Sequence, residues 1–198
     1  MFMRFEILSQ RHPDRPQAED CVRSVYQSHF GANPGTLASR LAVLFGPDGG
    51  VLCAAGMRDT SELLFSEQYL DEPVEQTASA LMGRDVARGE IVEISTLAAM
   101  KSCSVGFFLS NFVNETRATG ATTLLFTATR RLRIYLRRNG VGVMELAPAR
   151  PQRISNARNW GSYYDHNPVV CLAPDTAVRP FLNAPPTSLS GARTLEAA

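Results

Sequence analysis

Hydrophobic and polar positions switch between two periods along the middle of the chain. A β-rich run over residues 90–98 is followed, after a short loop, by residues 107–120, whose apolar positions recur at helical spacing and end at a glycine. A second strand is predicted over residues 121–129, a basic amphipathic helix over 130–140 and a third strand over 141–148. Strands that alternate with helices of this length need crossover connections, so we expect the first two strands to be parallel neighbours.

The pattern of the N-terminal half predicts a strand, a helix, two strands and a second helix. Residues 1–9 alternate as a strand, and the helix after them is expected to be capped by Asp14 and to end at Gly31. Residues 41–45 and 51–57 flank a Pro-Asp-Gly-Gly turn, which predicts a hairpin. The segment from Leu63 is predicted to begin extended, to turn at residues 71–73 and to continue as a helix.

Regular periodicity fades after residue 148. A long loop with one late strand over residues 168–172 follows, and Pro, Ala, Ser and Thr dominate from residue 175. We therefore predict one domain over residues 1–174 and a poorly ordered tail over residues 175–198.

Composition places the chain among ordinary globular proteins. With 198 residues, 44% of them hydrophobic and 20% charged, it is long enough to bury one sizeable core. A net charge of +1 gives no overall field for nucleic acid. Four scattered cysteines favour neither disulfides nor a metal site. The N-terminus has no secretory pattern and no apolar stretch reaches ~18 residues, so a cytoplasmic protein without a transmembrane segment is expected.

The basic residues are unevenly distributed. Five arginines crowd the predicted helix over residues 130–140: Arg130, Arg131, Arg133, Arg137 and Arg138. They form either a solvated helix face or a docking surface for a phosphate-bearing or acidic partner, such as coenzyme A or an acyl carrier protein.

The order of these elements resembles the acyl-CoA N-acyltransferase fold, which the Gcn5-related acetyltransferases and the acyl-homoserine-lactone synthases share. The resemblance implies a single α/β domain with a mixed central sheet and helices on both faces. It also implies that the strands over residues 90–98 and 121–129 splay apart and hold the pantetheine arm of the donor in the gap.

Transfer of an acyl group from a thioester to an amine requires a group that takes the amine proton. Glu93 lies mid-strand between apolar neighbours, where burial would raise its pKa toward the range of a useful base. We predict Glu93 as the general base, with Glu67 and Asp71 next in line. The alternative is a structural anchor paired with Arg117 or Arg130.

The donor is expected along the two central strands and the loop between residues 98 and 107. Acetyltransferases carry a Gln/Arg-x-x-Gly-x-Gly/Ala signature there, whereas this chain has only one glycine in Lys101-Ser102-Cys103-Ser104-Val105-Gly106. The departure favours a carrier protein over coenzyme A. The predicted donor contacts are Ser95, Leu97, Lys101, Ser104, Gly106, Thr127, Thr129 and Arg130. For the two threonines, strand propensity and helix capping are the alternative explanation.

Two loops concentrate aromatic and acidic side chains over residues 64–76 and 159–170. Loops often carry binding residues, and an aromatic–acidic cluster suits a cationic amine. The alternative is an aromatic latch that seals the open end of the sheet. The predicted contacts of the acceptor are Tyr69, Trp160, Tyr163, Tyr164 and Asp165.

The segments FSEQYLDEPVEQ, EIVEISTLA, LLFTATRRLR and NWGSYYDHNPVV, in this order, resemble the bacterial family named thermostable hemolysin. The similarity covers roughly residues 11–172. It implies an N-acyltransferase-like fold related to autoinducer synthases, and the family name implies lysis of red cells. The matching positions are Glu67, Tyr69, Asp71, Glu93, Thr127, Thr129, Arg130, Trp160, Tyr163, Tyr164 and Asp165.

Three functions are compatible with these features. The first is an N-acyltransferase that moves an acyl chain from the phosphopantetheine of an acyl carrier protein, or from coenzyme A, to an amine or amino acid. The second is a membrane-active hemolysin, and the third is a module that binds an acyl group or another ligand without chemistry. We favour the first, with no permanently bound cofactor and no metal.

Overall fold

The computed structural model describes residues 3–100 and 104–174. Its seven-stranded sheet has the order β1-β2-β3-β4-β5-β7-β6. The strands are β1 (Arg4–Leu8), β2 (Arg40–Phe45), β3 (Val51–Arg58), β4 (Ile91–Ala99), β5 (Thr123–Ala128), β6 (Met144–Pro148) and β7 (Val169–Pro174). The helices are α1 (Arg15–Phe30), α2 (Val74–Met82), α3 (Val105–Ala118) and α4 (Arg130–Arg138). Lys101 and the predicted tail over residues 175–198 lie outside the described residues.

The sheet confirms the expected mixed α/β architecture. β4 and β5 pair in parallel, from Ile91 opposite Thr123 to Ile94 opposite Phe126, as the crossover through α3 requires. All other neighbouring pairs are antiparallel. The third predicted strand, β6, does not lie next to β5, because β7 inserts between them and pairs antiparallel with both.

Two hydrophobic cores lie on opposite faces of the sheet. On one face, α1 and α2 pack on the sheet together with the segment after β6, and Tyr26 and Leu125 are fully or almost fully buried there. On the other face, α3 and α4 cover the strands, with Phe108 and Phe112 at their centre. The strand residues alternate between these cores, as a sheet buried on both faces requires.

β4 and β5 separate in the second half of their length. Their pairing ends at Ile94 and Phe126, although both strands continue. Between Gly56 and Ala54 β3 advances by two residues while β4 advances by three, which is a β-bulge on β4. Thr96 lies in this bulge with φ of 47°, an uncommon conformation for a β-branched residue. The bulge turns β4 away from β5 and opens a gap between them.

Two local predictions are corrected by the structure. The segment after Leu64 is not extended but forms a 3₁₀ helix over Ser66–Tyr69, whose first backbone N–H groups are bound by Glu93. Asp14 precedes α1, but its side chain makes no capping hydrogen bond and instead lies 3.5 Å from the Arg4 guanidinium. α1 ends as predicted, with Gly31 in the left-handed conformation at φ of 61°.

Candidate active site

Two cavities meet at the gap between β4 and β5. One lies on the face covered by α3 and α4. The other lies on the face covered by α1. Thr96, in the bulge, and Thr127, the first β5 residue beyond the paired region, line both. The two cavities therefore adjoin each other at the gap.

The cavity under α3 and α4, here called the apolar cavity, has an almost entirely hydrophobic lining. β4 and β5 supply Leu97 and Leu124, α3 supplies Leu109, and α4 supplies Leu132 and Leu136. The three helix leucines occupy the buried stripes of two amphipathic helices, which is why the sequence places them on the surface that faces the sheet. Such a lining favours a hydrocarbon chain over any charged ligand.

The cavity under α1, here called the aromatic cavity, is walled by five rings. Trp160 lies at its centre, with its ring centroid 5.4 Å from that of Phe65, 5.3 Å from Tyr163 and 6.0 Å from Tyr26. Tyr69 completes the wall. Three of the five predicted acceptor contacts, Tyr69, Trp160 and Tyr163, therefore line one cavity. Within the described residues the buried indole N–H of Trp160 has no hydrogen-bond partner.

Trp160 is held in place by the glycine that follows it. Gly161 has φ of +49°, and a Cβ at this position would lie 2.0 Å from the carbonyl oxygen of Phe30 at the end of α1. The Ser162 N–H donates to the same oxygen at 2.9 Å, and Asn33 N–H donates to the Asn159 carbonyl at 2.6 Å. The aromatic segment thus docks on the end of α1 through backbone contacts that leave no room for a side chain.

Glu93 is fully buried and points toward the 3₁₀ helix. Its carboxylate accepts hydrogen bonds from the Phe65 N–H at 2.6 Å, the Ser66 N–H at 2.7 Å and the Ser66 hydroxyl at 2.5 Å. The nearest described cation is Arg58, whose Nε lies 3.9 Å away, rather than Arg117 or Arg130. Burial raises the pKa of Glu93, against the opposing effect of these donors. Glu93 anchors the segment under the aromatic cavity, and its role as a base stays a prediction.

Glu67 and Asp71, the other two candidates for the general base, form ion pairs outside the two cavities. Glu67 accepts two hydrogen bonds from Arg88, at 2.8 and 2.6 Å, which lower its pKa, and it also binds the Val74 N–H at the start of α2. Asp71 is exposed and pairs with Arg153. Neither carboxylate lines the apolar or the aromatic cavity. Their contacts favour a role in holding the loop after β3.

The residues predicted to contact the acyl donor fall into two groups. Ser95, Leu97 and Thr127 lie at the gap and line the cavities. A side chain at Gly56, opposite Ser95, would place its Cβ 2.3 Å from the Ser95 hydroxyl, so the glycine makes room for that hydroxyl. Thr129 caps α4 by accepting the Leu132 N–H at 3.3 Å.

The remaining predicted residues lie outside these two cavities. Ser104 and Gly106 stand at the start of α3. Arg130 and Asp165 line a shallow surface groove with Arg131 and His166. Tyr164 stands behind the aromatic wall, with its hydroxyl 2.8 Å from that of Tyr69.

The arginines of α4 do not form one docking surface. Arg133 is 8% exposed, and its Nη1 donates to the Ala128 and Asn167 carbonyls at 2.7 and 2.8 Å. Both Arg133 and Arg137 also donate to Glu145. A buried guanidinium with carbonyl and carboxylate partners holds α4 to β5 and cannot meet another protein. Within residues 3–100 and 104–174, the exposed Arg130 and Arg131 make no ion pair.

Sequence reasoning did not find Arg58, Phe65 or Ser66, which line the aromatic cavity. Arg58 stands opposite Glu93 in the β3–β4 register, and both other residues are bound to Glu93 through their backbone. The strand register brings Arg58 to Glu93, and hydrogen bonds to the carboxylate bring Phe65 and Ser66, which are separated from Glu93 by more than twenty-five positions in the chain.

Comparison with known proteins adds to this geometry. The family model described as thermostable hemolysin matches residues 8–177. The chain belongs to the thermostable hemolysin family. No curated protein sequence matches it. None of the described helices of this family member is long and apolar enough to cross a membrane.

Solved structures show the fold that this member of the thermostable hemolysin family adopts. The AHL synthase LasI is 12% identical, with a TM-score of 0.64 over 91% of this chain and 94% of its own. FeeM, an N-acyl amino acid synthase from uncultured soil microbes, is 11% identical, with a TM-score of 0.59 over 90% and 98%. BjaI, a CoA-dependent acyl-homoserine lactone synthase solved with SAM and isopentyl-CoA, is 11% identical, with a TM-score of 0.59 over 90% and 87%. At these identities the likeness establishes a shared fold.

Proposed function

We propose that the protein is an N-acyltransferase that moves an acyl chain from a thioester to an amine. The acyl chain occupies the apolar cavity, the acceptor occupies the aromatic cavity, and the thioester carbonyl lies in the gap. The observation that carries this proposal is the pair of shared residues, Thr96 and Thr127, which line both cavities at the separation of β4 from β5. Two substrates that enter from opposite faces of the sheet can meet only there.

The donor in this proposal is the pantetheine thioester of coenzyme A or of an acyl carrier protein. Beyond Ile94 the edge of β4 that faces β5 is unpaired, so the amides of the arm can add to it as a strand. The exposed Arg130 and Arg131, together with the loop that has a single glycine, favour the carrier protein. The two donors share the same reactive arm and differ in what lies outside the gap. The cytoplasmic location expected from the sequence stays a prediction.

The chemistry assigned to the site is aminolysis of a thioester. The amine nitrogen attacks the carbonyl carbon, the C–N bond forms, the C–S bond breaks, and a protein group accepts the amine proton. Glu93 is our candidate for the carboxylate that takes up this proton. It is the buried carboxylate closest to the gap on the face of the aromatic cavity, and burial raises its pKa toward the range in which a carboxylate exchanges protons efficiently.

The aromatic cavity favours an amino acid or another amine with a polar group beside it. The unpartnered indole N–H of Trp160, the Ser95 hydroxyl and the Arg58 Nε–H offer three donors. The Arg58 Nε–H makes no hydrogen bond to any described residue, although Nε lies 3.9 Å from Glu93 in an ion pair and Nη1 donates to Glu62 at 2.7 Å. Donors of this kind bind a carboxylate or carbonyl oxygen of the acceptor. FeeM, an N-acyl amino acid synthase, shares the fold, which supports the same class of acceptor.

The test is incubation of the purified protein with acyl-CoA and acyl-carrier-protein pools and a mixture of amino acids and amines, with mass spectrometry for new amides. We expect an amide that disappears when either substrate is omitted. Leu97→Trp, which fills the apolar cavity, should shift the preferred acyl chain to a shorter length. Leu81→Trp, on the exposed face of α2, is the matched control and should leave the preference unchanged. Absence of any amide with all donors would contradict the proposal.

A further inference from the structure

Three side chains form a continuous hydrogen-bonded chain from the gap to the buried carboxylate. The Thr127 hydroxyl lies 2.9 Å from the Ser66 hydroxyl, which lies 2.5 Å from Oε1 of Glu93. The number of protons that each group carries fixes which partner donates in each hydrogen bond. An ionised carboxylate only accepts, so Ser66 must donate its single proton to Glu93, and Thr127 must then donate to Ser66. The Thr127 oxygen therefore keeps its free lone pairs for another donor.

Glu93 itself has no direct access to a substrate. It is 0% exposed, it lines neither cavity, and its two oxygens already accept three protein hydrogen bonds. Ser66 is 1% exposed. Thr127 is the member of the chain that lines both cavities, at the position where the amine would meet the thioester. A proton from the gap can thus reach the carboxylate through the two hydroxyls.

We propose that Thr127 and Ser66 relay the proton of the acceptor amine to Glu93, an inference that rests on the proposed function. As the amine nitrogen bonds to the carbonyl carbon, it passes one proton to the Thr127 oxygen. Thr127 passes its own hydroxyl proton to Ser66, and Ser66 passes its hydroxyl proton to the carboxylate. Thr127 is the catalytic residue of the relay because it touches the amine, whereas Ser66 and Glu93 act through it.

The relay is balanced over one turnover. A neutral amine and an acyl thioester enter, the C–N bond forms, and the C–S bond breaks with its electron pair on sulfur. The proton held by Glu93 returns along the same hydroxyls to the thiolate, so the amide and the free thiol leave and the carboxylate is regenerated. Each hydroxyl ends with one proton, as it began, and no further reactant is needed.

The experiment compares hydroxyl deletions along the chain in the assay in which wild type forms amide. Thr127→Val removes the hydroxyl with little change of shape, and Ser66→Ala keeps the backbone N–H that binds Glu93. We expect each to lower kcat by about 10²-fold with KM for the acyl donor little changed, the usual loss for an acid–base group. Thr127→Ser should restore most of the rate. Thr123→Val, the same change on the same strand at a buried threonine outside both cavities, is the matched control.

Two further measurements separate a relay from a structural effect. The double variant Ser66→Ala with Thr127→Val should be no slower than either single variant, because both interrupt one path. The solvent deuterium isotope effect on kcat in wild type should be lost in Thr127→Val. A Thr127→Val protein that folds and keeps the wild-type rate would overturn the relay even if amide formation stands.

The relay can also be tested without turnover. Infrared difference spectra of the Glu93 carboxyl, identified by its loss in Glu93→Gln, report its titration in the folded protein. Loss of a donor to a carboxylate raises its pKa, so Ser66→Ala should titrate at higher pH than wild type. If Ser66→Ala titrates at the same pH as wild type, the Ser66 hydroxyl does not bind Glu93. The relay is then excluded, whatever rate the assay gives. Failure of wild type to form amide, with the titration shifted as expected, would reject the proposed function and with it the relay's catalytic role.

Discussion

At the scale of single residues, Glu93 combines a structural contact with a chemical one. Its two oxygens hold the backbone N–H groups of Phe65 and Ser66, which fixes the 3₁₀ helix that lines the aromatic cavity. The charge that satisfies these donors is also the charge that can accept a proton. A substitution at this position therefore affects folding and turnover together, and the two effects must be measured separately.

Glu93→Gln should destabilise the protein and slow it. A glutamine offers one acceptor oxygen in place of two, so either the Phe65 or the Ser66 N–H must face an amide NH₂ group. We expect a loss of about 1–3 kcal/mol in the free energy of unfolding, measured by urea denaturation. Turnover of the folded fraction should fall by at least ~10²-fold. A folded variant with the wild-type rate would make Glu93 purely structural.

The stability difference between wild type and Glu93→Gln should depend on pH. Burial raises the pKa of Glu93, so the folded protein binds this proton more tightly than the unfolded chain. The resulting stability is fully present below about pH 4.3, the ordinary pKa of glutamate, and is lost as pH rises through the folded pKa. Wild type should thus lose stability relative to the variant between acid and neutral pH. The opposite slope would mean that the three donors outweigh burial.

A second residue-scale prediction concerns Gly161. A Cβ there would lie 2.0 Å from the Phe30 carbonyl oxygen, in a backbone conformation that L-residues rarely adopt. Gly161→Ala should therefore cost at least about 1–3 kcal/mol in the free energy of unfolding. It should also raise KM for the acceptor, because Trp160 moves with it. Gly89→Ala, where nothing lies within 4 Å, is the control and should stay close to wild type in both measurements.

At the scale of elements, the sequence predicts periodic structure well and long-range partners poorly. The strands and helices from β4 to α4 follow from their own spacing, and the crossover predicts the parallel pairing of β4 and β5. The 3₁₀ helix over Ser66–Tyr69 does not follow, because the acceptor for its first N–H groups is Glu93, on another strand. The bulge at Thr96 is not predicted either. β4 is recognised by its β-rich composition, and one extra residue does not change that composition.

The helix α4 gives a prediction that separates its buried from its exposed arginines. Arg133→Met leaves the Ala128 and Asn167 carbonyls without their donor and removes one partner of Glu145. We expect a loss of about 2–3 kcal/mol in the free energy of unfolding, measured by thermal or urea denaturation. Arg131→Met, an exposed position of the same helix, should stay within about 0.5 kcal/mol of wild type. Equal effects would contradict the division of the helix into two faces.

At the scale of the whole molecule, the fold class was predictable and the site was so only in part. Helix-length spacing between strands identifies a mixed α/β sheet, and the aromatic residues Tyr69, Trp160 and Tyr163 are recognisable as a group from their loops. The position of β7 between β5 and β6 was not predictable, because an antiparallel strand can pair with either edge. The site also depends on Arg58, which only the strand register brings to Glu93.

The distribution of charge on the surface also bears on whether an acyl carrier protein or coenzyme A delivers the acyl chain. Since Arg133 and Arg137 are bound to Glu145, an acidic carrier protein can be recognised on α4 through its exposed arginines, of which Arg130 and Arg131 lie together at its start. The double change of Arg130 and Arg131 to Glu should weaken use of an acyl carrier protein several-fold. Complementary charge acts mainly on encounter, so the loss should be greatest at low salt and fade at high salt.

A short pantetheine thioester separates docking of the carrier protein from entry of its arm. Its arm enters the same gap but carries no protein, so its turnover by the Arg130→Glu, Arg131→Glu variant should match wild type at every salt concentration. Arg84→Glu with Arg117→Glu, a charge reversal of the same size away from α4, should leave both donors unaffected once folding is verified. Equal loss for both donors would place the two arginines in the path of the arm itself. No loss for either would show that these charges only solvate the helix, and that any carrier protein docks elsewhere around the gap.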